Sequence, residues 1–269
     1  MTGPRPSADE LLELGVRAAR DAARLVQSGA ARGVTVAATK SSAVDVVTES
    51  DRSAERLIRK TLLGARPDDA VLGEEGDDES GTSGVRWIVD PIDGTVNFLY
   101  GIPQYAVSIA AELDGVVVAG VVRNAATGEE WTAIRGRGSW REGRRLVASG
   151  QTQLGQALVA TGFGYDAARR AHQAAVLAQV LPLVRDVRRF GAASVDLCFA
   201  AEGRVDAYFE KGLNAWDHAA GGLVAAEAGL TVSGLRGAPP GPAMVLAAPP
   251  ALHADLHDLL VRLDADGGP

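Results

Sequence analysis

The chain has one cysteine, few aromatic residues and no long apolar run, and each shortage excludes a class of protein. Cys198 stands alone, so no disulfide can form within the chain and nothing indicates an oxidising compartment. No stretch of about 18 apolar residues could cross a bilayer, and residues 1–9 lack the apolar core of a secretory signal. We therefore expect a cytoplasmic protein that does not enter a membrane.

Positive charge is also in short supply. The 34 acidic residues outnumber the 27 basic ones and give a net charge of −7, the wrong sign for coating nucleic acid or an anionic membrane. Hydrophobic residues make up 46% of the chain and charged residues 23%, which is ordinary for a folded globular protein. The composition therefore argues against nucleic acid or a membrane as partner, and its simplest interpretation is solubility.

The first half of the chain reads as two helices followed by a sheet. Apolar residues close to a 3.6 period predict a helix over 8–27 and a second helix from Thr48 to about Leu63, and a strand then reaches Gly73. An acidic loop with the composition of an exposed, mobile segment spans 76–84. An antiparallel meander is predicted from β-branched segments at 85–90, 105–112, 115–123 and 129–135.

The second half alternates between strands and helices, which is typical of a second α/β layer system. Strands are predicted at 157–161, 185–188, 205–209 and 243–247. Helices are predicted at 166–181, 192–202, 216–228 and 250–264. We expect the division between an N-terminal domain, 1–150, and a C-terminal domain, 151–269, to lie in the seam near residue 150.

The strongest local signal is WIVDPIDGT at 87–95. An apolar strand ends in Asp90, and a turn that contains proline and glycine follows. The Asp-x-x-Asp spacing can aim Asp90 and Asp93 into one pocket with a backbone carbonyl between them, and hard cations prefer such oxygen clusters. The alternative is that both aspartates are turn formers whose side chains bond only to their own backbone.

Two further segments place carboxylates at comparable positions. Glu74 follows a predicted strand, and Asp217 opens a predicted helix, where a lone aspartate is most often a cap. Thr95 begins a short helix or turn whose backbone N–H groups favour an anion such as phosphate. Carboxylate-held divalent ions beside an anion-binding helix start are typical of metal-assisted phosphoryl transfer to water.

At this point the chain resembles the inositol monophosphatase family. Its three signature blocks are matched by GEE at 73–75, WIVDPIDGT at 87–95 and WDHAAG at 216–221. Further matches in the family's order and spacing are Lys40-Ser41-Ser42, DVVT at 45–48, Asp51, GAAS at 191–194 and DAYFE at 206–210. The resemblance covers nearly the whole chain. It implies an α/β fold, the five-layered α-β-α-β-α sandwich shared with fructose-1,6-bisphosphatase.

The resemblance also implies a site for two or three Mg²⁺ ions. As metal ligands it assigns Glu74, Asp90, the Ile92 carbonyl, Asp93 and Asp217. As catalytic residues it assigns Glu74 and Thr95, which position and help to deprotonate the attacking water, and Asp51, which orients the Thr95 hydroxyl. As substrate-binding residues it assigns Asp93, Gly94, Thr95, Ala193, Glu210 and Asp217. Most metal ligands then belong to the N-terminal domain, and the third motif and most substrate-facing residues to the C-terminal one.

The implied activity is Mg²⁺-dependent hydrolysis of a phosphomonoester, with myo-inositol 1-phosphate as the favoured substrate. Inhibition by Li⁺ and a homodimer are implied as well. Fructose-1,6-bisphosphatase, histidinol-phosphate phosphatase and 3′-phosphonucleotide phosphatase share the metal ligands and stay open as alternatives. A non-catalytic member that keeps the fold to bind a partner is the rival of another class.

Several other polar residues attract attention. Arg188-Arg189 precedes the substrate-facing turn, and three interpretations stay open: contact with an anionic substrate, a subunit contact, or a solvated pair. His218 next to Asp217 is expected to pack and not to bind a metal, because adjacent helical residues point about 100° apart. Cys198 is expected to be buried. The helices predicted to carry His172, His253 and His257 show no partner for them, so these three are expected at the surface.

Overall fold

Helices and sheets alternate along the chain in the computed structural model, which describes residues 5–32, 36–39 and 46–269. Within these ranges the helices are α1 (Ala8–Arg32), α2 (Glu49–Ala65), α3 (Thr95–Tyr100), α4 (Ala167–Val180), α5 (Ala193–Glu202), α6 (Ala215–Glu227) and α7 (Pro250–Arg262). The sequence matches at Lys40, Ser41, Ser42 and Asp45 lie outside the described residues. In the described part of the chain, no helix has the length and apolar character needed to cross a membrane.

Three sheets contain the strands. A two-stranded antiparallel sheet pairs β1 (Val36–Thr39) with β2 (Val46–Thr48). A seven-stranded sheet has the order β3 (Ala70–Gly73), β4 (Val85–Asp93), β5 (Ala106–Leu113), β6 (Val116–Asn124), β7 (Glu130–Ile134), β8 (Gly138–Arg141), β9 (Arg144–Arg145). The strands of the five-stranded sheet are β10 (Leu158–Thr161), β11 (Asp186–Arg188), β12 (Ala207–Glu210), β13 (Thr231–Ser233) and β14 (Val245–Ala248), in the order β11-β10-β12-β14-β13.

The outer layer on one side consists of α1 and α2, which cover the seven-stranded sheet. The apolar face of α1 includes Leu11 and Val26, both fully buried against sheet residues such as Trp87 and Ile109. Helix α2 starts at a capping box in which the Thr48 hydroxyl accepts the amide of Asp51. In the sheet itself, β4 to β7 form the predicted antiparallel meander, which continues through β8 and β9, and β3 pairs with β4 in parallel.

The middle layer consists of α5 and α6, which are packed between the two large sheets. One core cluster joins Val122 and Trp131 of the first sheet to Leu197 of α5, Val224 of α6 and Tyr208 of the second sheet. Both helices are apolar around most of their circumference, as expected for helices buried on two sides. The cysteine, Cys198, lies fully buried in this layer, as predicted.

The outer layer on the other side consists of α4 and α7. Val176 of α4 and Leu256 of α7 are buried against Val159 and Leu246 of the five-stranded sheet. The five-layered α-β-α-β-α sandwich is therefore confirmed, and the domain boundary near residue 150 stays a prediction.

Four strands were missed by the pattern, namely β2, β8, β9 and β13. Residues 138–145, which form β8 and β9, read GSWREGRR and lack an apolar alternation. Strand β13 has only three residues, none of them fully buried. The predicted loop at 76–84 is exposed, but two interior residues hold it to the strand region before it: Glu79 forms a bridge with Val71, and Thr82 donates its amide to the carbonyl of Asp68.

Helices α5 and α6 approach each other closely at Gly221, which makes the packing of the middle layer testable. A Cβ atom there would lie 2.8 Å from the Ser194 carbonyl oxygen and 3.0 Å from the Leu197 Cβ. At the neighbouring Gly222, the nearest atom is a Val232 methyl at 3.9 Å. Gly221→Ala should lower the free energy of unfolding by about 1–3 kcal/mol because the interface is overpacked.

Gly222→Ala is the matched control. It should leave the free energy of unfolding unchanged or raise it by up to about 1 kcal/mol, because glycine is a poor helix former. Urea unfolding of both variants measures the difference. Equal stability of Gly221→Ala and the wild type would contradict this packing.

Candidate active site

Three carboxylates meet at the end of β4. One oxygen each of Asp90, Asp93 and Asp217 lies within 4.8 Å of the other two. The ladder between β4 and β5 is interrupted between Asp90 and Asp93, where Pro91 has no N–H group to donate. Such bulges redirect side chains. Asp217 reaches the same place from the first turn of α6.

The cluster carries negative charge that the described side chains do not neutralise. Burial raises the pKa of Asp90 and of Asp217 well above their usual range, and the nearby charges of Glu74 and Asp93 raise both further. Burial also raises the pKa of Asp93 to about 6, although hydrogen bonds from Ser194 oppose the shift. An all-oxygen donor set with this much unrelieved repulsion fits a hard divalent cation such as Mg²⁺.

Asp93 ties the site to helix α5. Its Oδ2 atom accepts hydrogen bonds from the Ser194 amide at 2.7 Å and from the Ser194 hydroxyl at 2.5 Å. Its Oδ1 atom accepts one from the Ala193 amide at 3.2 Å. The first turn of α5 is thereby fixed against β4. Ala193 lies at the cavity wall, and its N–H group donates to Asp93; its role in substrate binding stays a prediction.

Thr95 begins α3 directly after a left-handed glycine. Gly94 has φ +89°, and a Cβ atom there would lie 2.8 Å from the Gln104 carbonyl oxygen, so only glycine fits this turn. The Thr95 hydroxyl lies 3.0 Å from the carbonyl oxygen of Ile92 and 3.2 Å from Oδ1 of Asp51. Its one hydrogen can be donated to either acceptor.

Asp51 serves two elements at once. Its Oδ2 atom accepts hydrogen bonds from the amide and the hydroxyl of Thr48, which closes the capping box of α2, while Oδ1 faces Thr95. The side chain is fully buried, and burial raises its pKa. Asp51 precedes Thr95 by 44 positions in the sequence, and the fold brings the two side chains into hydrogen-bond contact.

A cavity of about 510 Å³ opens beside the cluster. Its walls include five of the six residues predicted to bind substrate, namely Asp93, Gly94, Ala193, Glu210 and Asp217, together with Glu74. The basic residues Arg169, Arg189 and Lys211 line the same cavity. Of these three, the sequence singled out only Arg189. Arg169 lies in α4, after the loop that follows β10, and Lys211 directly follows the end of β12. A position shortly after a predicted strand was therefore the available sequence signal that either residue lines the cavity.

Glu210 lies at the end of β12 against the backbone of Gly162. A Cβ atom at Gly162 would be 1.9 Å from Oε2 of Glu210, so the carboxylate occupies the space that any side chain at 162 would need. The Tyr208 hydroxyl donates a hydrogen bond to the same oxygen at 2.7 Å. Burial raises the pKa of Glu210 to about 7, against the opposing effects of Tyr208 and Arg189.

Two expectations about helix α6 and the arginine pair are resolved by these contacts. The cap of α6 is Asn214, and Asp217 occupies the third helical position, where it accepts the Asn214 amide at 2.6 Å. The simple cap interpretation of Asp217 is therefore wrong. Arg188 pairs with the exposed Asp186 at 2.6 Å, whereas its neighbour Arg189 lines the cavity.

The three histidines expected at the surface are partly exposed, and each has a polar partner that the sequence did not indicate. His172 Nε2 lies 2.9 Å from the carbonyl oxygen of Asp264, His253 Nε2 lies 2.8 Å from the Ser233 hydroxyl, and His257 accepts the Arg236 amide at 3.1 Å. All three partners belong to other elements, at least 20 residues away in sequence, so no helical pattern could reveal them. Burial lowers the pKa of His218, which agrees with a packing role.

Known proteins match this fold and this chain closely. A sequence model of the inositol monophosphatase family matches residues 7–264. Inositol-1-monophosphatase from Mycobacterium leprae is 47% identical over 247 residues, which are 88% of this chain and 84% of that protein. The chain belongs to the inositol monophosphatase family.

Other members of the family agree. A Nus factor SuhB from Pseudomonas aeruginosa is 41% identical over 237 residues, 84% of this chain and 86% of that protein. The solved structure of Mycobacterium tuberculosis SuhB has a TM-score of 0.84 at 42% identity and covers 97% of this chain and 99% of that chain. The family is one of phosphatases, so the chain is an enzyme of the phosphatase class.

The raised pKa of Glu210 predicts a pH-dependent stability. Its pKa is about 7 in the folded protein against an ordinary 4.5, so the folded state holds the proton more tightly. The resulting stabilisation is complete below about pH 4.5 and is lost as pH rises through about 7. Glu210→Gln removes this charge but keeps an acceptor for Tyr208. In EDTA, the variant should melt a few degrees above the wild type at pH 8 and at the same temperature at pH 5.

Glu13→Gln, at an exposed position on α1, is the control and should melt with the wild type at both pH values. Thermal unfolding followed by circular dichroism measures the difference. If Glu210→Gln melts at the same temperature as the wild type at both pH values, ionisation of the Glu210 carboxylate does not destabilise the folded protein.

Proposed function

We propose that the protein is a Mg²⁺-dependent phosphomonoesterase whose preferred substrate is myo-inositol 1-phosphate. The observation that carries the proposal is the buried cluster of Asp90, Asp93 and Asp217 beside the Gly94-Thr95 turn, in a cavity large enough for a polyol phosphate. Relatives such as the Mycobacterium leprae protein, named inositol-1-monophosphatase, support the choice of substrate.

Five groups would hold Mg²⁺: the carboxylates of Glu74, Asp90, Asp93 and Asp217, and the carbonyl oxygen of Ile92. When bound, two or three such ions would supply Lewis acidity toward the phosphate and lower the pKa of the attacking water. Existing hydrogen bonds orient these ligands. Asp90 accepts the Ile92 amide at 3.0 Å, and Asp217 accepts the Asn214 amide, which leaves the second oxygen of each for a cation.

Thr95, Asp51 and Glu74 would handle the attacking water. Asp51 accepts the hydrogen of the Thr95 hydroxyl, so the hydroxyl oxygen presents its lone pairs to a proton of the water. Asp51 is itself fixed by Thr48 and cannot turn away. Glu74, at the cavity wall, is the second acceptor for a water proton. Together these groups align the water and remove its proton as it attacks phosphorus.

The remaining predicted residues would bind the substrate. The backbone at Gly94 and Thr95 would receive the phosphate, and Asp93, Glu210 and Asp217 would accept hydrogen bonds from the polyol hydroxyls. Ala193 would contribute its small side chain as part of the wall, because its amide is engaged by Asp93. A buried acceptor such as Glu210 discriminates strongly against substrates that lack the matching hydroxyl.

A substrate with a second anionic group, such as fructose 1,6-bisphosphate, is the second candidate. The observation in its favour is that Arg169 and Arg189 line the same cavity as the acidic cluster. Guanidinium groups bind phosphate in a fixed, bidentate geometry. Histidinol phosphate and a 3′-phosphonucleotide also carry further charged groups. Turnover of these two compounds shows whether the charged residues of the cavity wall accept such groups.

Three further properties belong to the proposal. Li⁺ inhibits by competing for the carboxylate site, the protein acts in the cytoplasm, and two copies form a homodimer. Exposed apolar side chains at Leu181 and Leu183 are available for a subunit contact. The net charge of −7 disfavours nucleic acid as a partner.

Phosphate release tests the proposal directly. The purified protein is assayed with myo-inositol 1-phosphate, fructose 1,6-bisphosphate, histidinol phosphate and 3′-phosphoadenosine 5′-phosphate, each with Mg²⁺, with EDTA, or with Mg²⁺ and Li⁺. We expect the highest kcat/KM for myo-inositol 1-phosphate, and loss of turnover in EDTA and in Asp93→Asn. A preference for the bisphosphate would select the second candidate, and no release from any substrate would refute the proposal.

The Thr95 hydroxyl should act in the transition state and not in substrate binding. Thr95→Ala is expected to lower kcat by about 100-fold with little change in KM, because the attacking water loses an acceptor. Thr95→Ser keeps the hydroxyl and should recover most of kcat. Steady-state kinetics separates the two parameters. An increase confined to KM in Thr95→Ala would limit Thr95 to substrate binding.

A further inference from the structure

Helix α2 carries a second buried acid one turn after Asp51. Glu55 is 2% exposed and Asp51 is 0% exposed. Residues four apart lie on the same face of a helix, so both acids point to the same side of α2. Asp51 contacts Thr95, and Glu55 contacts the loop that follows β3 and carries Glu74.

We propose that Glu55 is a positioning residue that fixes the Glu74 loop against α2 and thereby sets the place of the Glu74 carboxylate. The inference rests on the proposed function, because Glu74 is there a metal ligand and a water acceptor. It assigns Glu55 no contact with substrate or metal.

The first argument is the hydrogen bonding of Glu55. Its Oε2 atom accepts the backbone amide of Glu75 at 2.7 Å, and its Oε1 atom accepts Nε of Arg59 at 2.8 Å. One carboxylate oxygen therefore binds the loop, and the other binds Arg59 of the same helix. The peptide group that joins Glu74 to Glu75 is held by the first of these bonds, so it cannot rotate without breaking a buried, charge-assisted contact.

The second argument is the shape of the loop. A Cβ atom on Gly73 would lie 2.6 Å from Oε1 of Glu55, and one on Gly76 would lie 2.7 Å from it. Neither glycine has a positive φ, so backbone conformation does not require them. The glycines on both sides of Glu74-Glu75 leave the space that the Glu55 carboxylate occupies.

The third argument is charge. Arg59 lies four residues after Glu55 on the same helix face, and its side chain is 12% exposed. It neutralises Glu55 beside a cluster whose carboxylates already repel one another. Glu55 can therefore hold the loop without adding a net charge to the site. Both oxygens of Glu55 already accept hydrogen bonds, so Glu55 is not proposed as a metal ligand.

Together these contacts make α2 a common support for the two groups that handle the attacking water. Asp51 orients Thr95 and Glu55 places the Glu74 loop. Four residues of helix span about 6 Å along the axis. The separation between the two groups is thus set by one rigid helical turn.

Glu55→Gln tests the inference. The amide keeps the size of the side chain, but it has one acceptor oxygen in place of two and carries no charge. The bond from the Glu75 amide therefore loses its charge assistance, or it meets an N–H group that cannot accept it. Outer partners of metal ligands typically contribute about 10- to 100-fold to metal affinity or activity. We expect Mn²⁺ to bind about 10-fold or more weakly, measured as free Mn²⁺ by electron paramagnetic resonance, and kcat to fall by a similar factor with KM for substrate unchanged.

Glu79→Gln is the matched control. Glu79 pairs with the same Arg59 at 3.6 Å, but its side chain is about half exposed, and the atoms nearest to a Cβ at Gly73 or Gly76 belong to Glu55 and Arg59. The control removes the same charge and should retain the Mn²⁺ affinity and kcat of the wild type. An equal loss in Glu79→Gln would show that Arg59 pairing, and not the Glu55 contact, is responsible, and would overturn the inference.

Gly76→Ala perturbs the same contact from the loop side and decides the case if Glu55→Gln does not fold. Its methyl group should displace the Glu55 carboxylate and weaken Mn²⁺ binding. The double variant should lose no more than the worse single one, because both changes break one contact. Folding of each variant is checked by thermal unfolding.

Wild-type Mn²⁺ affinity and kcat, within about twofold, in folded Glu55→Gln or folded Gly76→Ala would overturn the inference. The Mn²⁺ titration is independent of turnover. If the wild type binds Mn²⁺ but hydrolyses no substrate, the phosphomonoesterase proposal fails, and the comparison of Mn²⁺ affinities still decides the role of Glu55.

Discussion

Repulsion among buried carboxylates is the constraint on which the rest of the structure depends. Asp90, Asp93 and Asp217 lie within 4.8 Å of one another, and Glu74 adds a fourth charge nearby. An unfolded chain would separate these groups, so the fold must hold them together against their own electrostatics. Each of the three aspartates accepts at least one backbone amide from a turn or helix start. Such bonds restrain the side chains and leave the charge for a cation.

The layered fold explains how this is achieved. The seven-stranded sheet presents Glu74 and Asp93 at the ends of adjacent strands, and the middle helices bring Ser194 and Asp217 to the same place. Close packing of α5 on α6 at Gly221 keeps the Asp93 anchor and the third carboxylate in register. On the opposite side, α2 supports Thr95 and the Glu74 loop. The site is thus built between layers, and its precision comes from their packing.

What the sequence could predict depended on distance along the chain. Asp90 and Asp93 stand three positions apart in one strand-and-turn motif, so local chemistry was sufficient to nominate them. The meander and the alternating second half followed from hydrophobic periodicity. The links between segments could not be predicted: Ser194 on Asp93, and Glu55 under the Glu74 loop. Short-range patterns contain no information on contacts between residues 20 or 100 positions apart.

The most direct test of the account is the position of a divalent cation in crystals soaked with Mn²⁺, located by anomalous scattering at the manganese edge. The account predicts two or more peaks about 3.5–4 Å apart, contacted by oxygens of Asp90, Asp93 and Asp217, with Glu74 on one of them. Crystals that bind Mn²⁺ only elsewhere, or that show no anomalous peak between these carboxylates at saturating Mn²⁺, would contradict it.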